Sequence, residues 1–252
     1  MYGMYCVGPG NIDFLINSCQ EQDLVPLSFA ETQQQRLSFN GGLNSLEAYH
    51  IVTGSTAVYL LHKGDVHLAI TYGEVDPLYQ IAGGATDLLV IRSYILTAMA
   101  EPDNPFARSI NLSQLVRQAE IPYGSFLSQT FMQGVLAEGD EKIVQQYGPA
   151  AQEVLQFAYP GIKSKTLAEV LLQAEVPYTC VLFSHPSSIQ RTFGHNTTGL
   201  IFAHPLLHPL VPGVVQHTTF HKPINALHQD NLYLIARTEP SLPHFPPPFY
   251  AN

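Results

Sequence analysis

"GGLNSLEAYHIVTGSTAVYLLHKGDVHLAITYGEVDPL", residues 41–78, is the stretch on which the fold turns. Its first half, Leu43–Leu61, scatters Ser45, Ala48, Gly54, Ser55 and Ala57 among apolar residues, the composition of a helix packed against other backbone. "HKGD" at 62–65 ends that helix, and "VHLAITYG" at 66–73 reads as a short apolar strand.

Working outward, "MYCVGPGNIDFLINSC" predicts a short strand, a glycine turn and a helix. Its Gly-Pro-Gly is weak evidence for a phosphate-binding loop, because GxGxxG is incomplete and no acidic residue follows at the right distance. "TQQQRLSFNGGLNSLEAY" is polar and then glycine-rich, as expected of a connection. "ATDLLVIRSYILTAMA" is apolar all round and predicts a buried helix. "LSQLVRQAEIPYGSFLS" (112–128) and "LAEVLLQAEVPYTCVLFS" (167–184) each give a helix, then "QAE", then Ile/Val-Pro-Tyr opening a strand. Such reuse of one helix–turn–strand junction points to alternating α and β elements. "EPSLPHFPPPFYAN" closes the sequence as an extended Pro-rich tail, 239–252, after a domain spanning 1–238.

The bulk composition limits the function classes. Charged residues are only 12% of the 252, against about 25% in an ordinary soluble domain, so part of the surface is expected to be covered by another subunit. A net charge of −9 with eleven basic residues, no two adjacent, excludes nucleic acid as the main partner. No apolar run reaches the roughly 18–20 residues of a membrane span, and the N-terminal residues lack signal-peptide character. The three cysteines, Cys6, Cys19 and Cys180, form no CxxC pair, and a reducing cytoplasm is the expected compartment.

Several groupings could carry chemistry. Six histidines fall between 195 and 228, including HxxxH at 204–208 and 217–221. Such pairs bind zinc when a helix brings both rings to one face, but Pro205, Pro209 and Pro212 oppose a regular helix there. Cys180 and His185 could form a nucleophile–base pair for acyl transfer, although no helix N-terminus or cationic neighbour is evident to activate the thiol. Arg92, Ser128 and Gln173-x-Glu175 are the residue types of an ADP-ribosyltransferase. Pro247, Pro248 and Tyr250 form a PPxY sequence of the kind that WW domains bind, so a binding protein presenting its tail is a further reading.

Taken in order, residues 41–78, "VPYTCVLFSHPSS" and "QRTFGHNTTGLIFAHPLLHPLVPGVV" resemble segments of a β-ketoacyl synthase. That resemblance implies a truncated thiolase-like layered α/β fold with a mixed sheet. It places His185 at the family's first catalytic histidine and Gly194-His195 at its second. Condensation also needs a cysteine at a helix N-terminus to hold the acyl chain, and no cysteine lies between Cys19 and Cys180. Pro186 replaces the glycine after the first histidine, and Gln190 stands where the family has lysine. The resemblance therefore implies a chain-length-factor-like subunit of polyketide, aryl polyene or fatty-acid-type synthesis. Such a subunit would be inactive alone, use no cofactor or metal, and pair with an active ketosynthase and its acyl carrier protein. His185 and His195 would then be vestigial.

Overall fold

The computed structural model describes residues 3–38, 50–72, 88–101, 104, 107–120, 127–173, 175–194, 199–207, 216–221 and 232–238. Residues 50–62 form two strands, β3 (His50–Val52) and β4 (Thr56–His62), where a helix over Leu43–Leu61 was expected. β5 (Asp65–Thr71) follows as predicted and pairs antiparallel with β4 along its whole length. Lys63 and Gly64, with φ of 51° and 87°, make the two-residue turn between them. Positive φ at both positions matches the right-handed twist of paired strands, and glycine takes the second at no steric cost.

The error has a physical cause. Ala57 and Tyr59 on one face of β4 join the main core, while Val58 and Leu60 on the other face join a second cluster. A strand buried on both faces shows no polar alternation, so its sequence cannot be told from a buried helix by periodicity.

Before this hairpin come β1 (Met4–Gly10), α1 (Ile12–Glu21), β2 (Leu24–Pro26) and α2 (Phe29–Ser38), so part of the expected polar connection is helical. The Asn11 side chain caps α1 by accepting from the Phe14 N–H at 2.9 Å. Ser28 and Glu31 form a reciprocal capping box at the start of α2: the Glu31 N–H donates to Ser28 Oγ and the Ser28 N–H to Glu31 Oε2. After the hairpin lie α3 (Leu88–Met99), β6 (Ala107–Asn111), α4 (Leu112–Ala119) and β7 (Leu127–Met132). Four helices follow: α5 (Gln133–Glu138), α6 (Asp140–Tyr147), α7 (Ala150–Ala158) and α8 (Ser164–Gln173). The described chain ends with β8 (Tyr178–Phe183), α9 (Pro186–Phe193), β9 (Leu200–Leu207), β10 (Gln216–His221) and β11 (Leu232–Thr238).

The class is α/β with a mixed sheet. The order β1-β11-β3-β9-β10-β8-β7 contains parallel β11–β3 and β10–β8 pairs among antiparallel neighbours. β4, β5 and β6 extend from β9 as an antiparallel branch. β9 is the hub: Leu200–Ala203 pair with β4, and Leu206 and Leu207 with β3. β3 and β4 are thus one bent strand interrupted by Thr53, Gly54 and Ser55. Helices α5–α8 cover the main core, α1 covers β1 and β11, and α3 covers β4 and β5.

The two copies of the repeated junction share a left-handed glutamate, and residues 121–126 of the first copy lie outside the described residues. Glu120 after α4 and Glu175 after α8 both have positive φ, 52° and 56°, and the strands that follow them, β7 and β8, pair antiparallel. The reading of α3 as wholly buried needs correction, since Leu89, Val90 and Tyr94 are exposed. The Pro-rich tail at 239–252 lies outside the described residues.

Gly54 fixes the bend. Its N–H donates to the Leu27 carbonyl at 2.7 Å, and a Cβ there would lie 2.7 Å from Pro26 Cβ and 2.9 Å from Pro26 O. Gly54→Ala is expected to lower unfolding free energy by about 1–3 kcal/mol through forced backbone displacement. Gly134→Ala, where a Cβ meets nothing within 4 Å, is expected to be neutral or stabilising. Urea unfolding of the two variants checks the contrast.

Candidate functional site

Two polar groupings stand out from the apolar framework, and they differ in whether their charges are matched. The first lies at the tip of the β4–β5 hairpin. Arg117 of α4 donates to both oxygens of Asp65 at 3.0 Å, and Asn111 Nδ2 donates to Asp65 Oδ2 at 2.9 Å. These donors lower the Asp65 carboxyl to about 2. His67 stacks edge-on with His62 at 6.1 Å between ring centroids, and burial together with the charge of His62 lowers its pKa. Ser113 Oγ accepts from the Val66 N–H and Asn111 Oδ1 from the Gln114 N–H, so the cluster docks α4 onto the hairpin. Its hydrogen-bonding capacity is spent internally, and it is structural.

The second grouping is a cleft of about 340 Å³ between the end of α3, the start of β6 and one face of α7. β6 pairs only with β5 among the described residues, so its other edge opens here. Met99, Ala107 and Phe157 make the apolar floor. Glu153, Gln156 and Phe157 reach the cleft together because positions three and four apart share a helix face. Glu101, just past α3, accepts from Asn104 Nδ2 at 2.7 Å. Arg108 donates one N–H to the Gln156 carbonyl at 3.4 Å.

Among the described residues, neither Arg108 nor Glu153 has an ion-pair partner. Burial lowers the Arg108 pKa and raises that of Glu153. Both groups therefore lose hydration without gaining a compensating charge, the electrostatic condition of a site that expects something else.

The residues singled out from sequence are dispersed. His195 lies outside the described residues. His185 is buried at the N-terminus of α9, where Nδ1 accepts from the Ser187 N–H at 3.2 Å and lies 2.7 Å from Ser187 Oγ. It acts as the helix cap. Gln190, at the expected lysine position, donates to the Gly64 carbonyl at 3.4 Å. Cys180 is buried in mid-strand, with Thr130 and His217 as its register partners on β7 and β10.

His217 and His221 are four residues apart on a strand, which separates them by ~13 Å rather than one helical turn. His204 pairs in register with His221; His208 and His228 lie outside the described residues. Among the described residues no three His, Cys, Asp or Glu side chains converge to hold a metal. Arg92 donates to the Leu61 carbonyl at 2.7 Å at the end of β4, whereas Ser128 is on β7 at the far edge of the sheet. Gln173 ends α8 and Glu175 precedes β8, whereas Arg92 is on α3. No helix among the described residues is long and apolar enough to cross a membrane. Sequence reasoning missed the cleft, whose residues come from three separated segments.

Two outcomes follow. Asp65 has its pKa lowered from 3.8 to about 2, so its contribution to stability is present above pH 4 and lost as pH falls toward 2. Asp65→Asn is expected to flatten that acid limb in equilibrium unfolding between pH 5 and 2, by a modest amount because the carboxylate is solvated. His185→Ala is expected to cost about 1 kcal/mol through loss of the cap, and His185→Asn, which restores a capping oxygen, to recover most of it in urea unfolding.

No protein-family model matches the chain, and no curated protein matches it. A solved structure described as the accommodation of massive sequence variation in Nanoarchaeota by the C-type lectin fold is similar, with a TM-score of 0.54 at 9% identity. The match covers 93% of this chain and 96% of that one. At this identity the likeness shows the fold alone. It overturns the resemblance to β-ketoacyl synthases and chain-length factors, and with it the thiolase-like fold and the assignment to polyketide, aryl polyene or fatty-acid synthesis. The ketosynthase and acyl-carrier-protein partners rested on that resemblance and have no other support. The described part of the segment expected as a small-residue helix, residues 50–61, forms β3 and β4. What the chain shares with a described protein is a C-type lectin-like α/β architecture.

Proposed function

We propose that the chain is a recognition module that holds a small ligand in the cleft between α3, β6 and α7. The observation that carries this reading is the pair of opposite charges, Arg108 and Glu153, which have no ion-pair partner among the described residues and line one cleft with the apolar Phe157, Ala107 and Met99. Ligand sites combine an apolar wall with a few placed polar groups, and this volume sits at the lower end of their range of roughly 300–1,000 Å³. The fold likeness adds support: the similar structure is described as the accommodation of massive sequence variation by the C-type lectin fold. The reading is of binding: the cleft sets two opposite charges, a hydroxyl and an amide against an apolar wall.

The test is a titration of the isotopically labelled chain with a library of small polar metabolites, followed by amide shifts. Binders are expected to move Ala107, Ser109, Gln156 and Phe157 together. Ser109→Trp, which fills the cleft from an edge strand, is expected to abolish those shifts with the thermal midpoint unchanged. A library that leaves these amides unmoved, or moves only amides elsewhere, overturns the proposal.

A further inference from the structure

We infer that this cleft is built for a small zwitterion, a free amino acid or dipeptide with an apolar side chain, its carboxylate on Arg108 and its ammonium group on the Glu101–Glu153 side. The inference rests on the preceding reading of the cleft and specifies its ligand.

Charge complementarity decides between ligand classes. A simple anion such as phosphate would suit Arg108 but would be drawn in beside two carboxylates, Glu101 and Glu153. Like charges so placed in a partly desolvated cleft repel strongly. A bare divalent cation would meet the Arg108 guanidinium, and among the described residues no group of three ligating side chains gathers to hold it. A neutral polyol would leave both unmatched charges as they are, dehydrated further and still unpaired. Only a ligand bearing both signs satisfies both ends at once.

The guanidinium is suited to the anionic end. One of its five N–H donors is on the Gln156 carbonyl, which leaves the rest of the planar fork for a carboxylate. At the other end, Glu101 is held by Asn104, and Glu153 stands in the first turn of α7. That position favours Glu153 as an anion. Met99, Ala107 and Phe157 in the same cleft offer an apolar surface to a side chain, and about 340 Å³ has room for one or two residues.

The experiment measures binding of the full chain by calorimetry and amide shifts to L-leucine, L-leucinamide, N-acetyl-L-leucine, glucose and inorganic phosphate. L-leucine is expected to bind in the cleft, and the two analogues that lack one charge to bind at least about tenfold more weakly. Arg108→Gln is expected to erase the preference for leucine over leucinamide while keeping that over N-acetyl-leucine. Glu153→Gln is expected to do the reverse. Both side chains are largely exposed, and circular dichroism checks that the variants stay folded. Leucinamide, glucose or phosphate moving the cleft amides with affinity equal to or above that of leucine overturns the zwitterion and leaves the cleft as a recognition site. Failure of all five probes also overturns it. Only the silence of the cleft toward the whole library overturns the underlying reading as well.

Discussion

Burial of the β4–β5 hairpin on both faces is the constraint from which the rest of this fold follows. Tyr59, Leu60 and Leu68 are essentially inaccessible to solvent. Each face therefore has to be covered by a separate element: the α5–α8 helices and the strands around them on one side, α3 on the other. Burying a side chain of this size contributes on the order of 1.5–3 kcal/mol, and here a single short hairpin supplies such residues in two directions. β9 holds the hairpin in register along Leu200–Ala203 and then passes to β3, so the two parts of the sheet share one strand. The bend that makes this possible depends on the absence of a side chain at Gly54.

The described ends of the chain are tied together by a different means. β1 pairs antiparallel with β11, and β2 with the far end of β11, over a small cluster that includes Leu15, Leu234 and Ala236. Arg237 of β11 reaches the Glu31 carboxylate of the α2 capping box. Burial alone would raise the Glu31 pKa, but the Ser28 N–H and hydroxyl and the Arg237 guanidinium outweigh it and hold it low. One carboxylate thus caps a helix and anchors the last described strand. Glu153 is the contrast: burial raises its pKa, and it has no ion-pair partner among the described residues.

How much of this was legible varied with the kind of signal. Helix α1, strand β5 and the paired helix–QAE–strand junctions were readable because turn chemistry and polar punctuation are local. The β3–β4 strand was not, because burial on both faces removes the alternation that identifies strands, and Gly54, Ser55 and Ala57 mimic a close-packed helix. The two-residue Lys63-Gly64 turn was an available signal for a hairpin. His185 attracted a chemical interpretation from sequence, yet its ring does the work of a cap at the start of α9. The cleft was invisible for a geometric reason: Glu101, Arg108 and Glu153 are unremarkable charges until α3, β6 and α7 bring them together. With only eleven basic residues in the chain, an arginine inside an edge strand was the one clue on offer.

These observations also bear on how a scaffold can persist at 9% identity. The two-faced hairpin and its helices ask for apolar volume at the right spacing, and many sequences satisfy that. Arg108, Glu101 and Glu153 stand on the rim of the framework, at the end of one helix, on an edge strand and in the first turn of another. Their head groups are open to solvent, so substitutions there cost the core little. In such an arrangement the residues that would choose a ligand are free to change without the fold having to follow, provided that the apolar floor of Phe157 and Ala107 is kept. Phe157 is at once part of the main core and the base of the cleft, packed edge-on against Phe183 at 5.8 Å between ring centroids. It is the point at which stability and recognition share a side chain, and it limits how far the cleft can be reshaped from below.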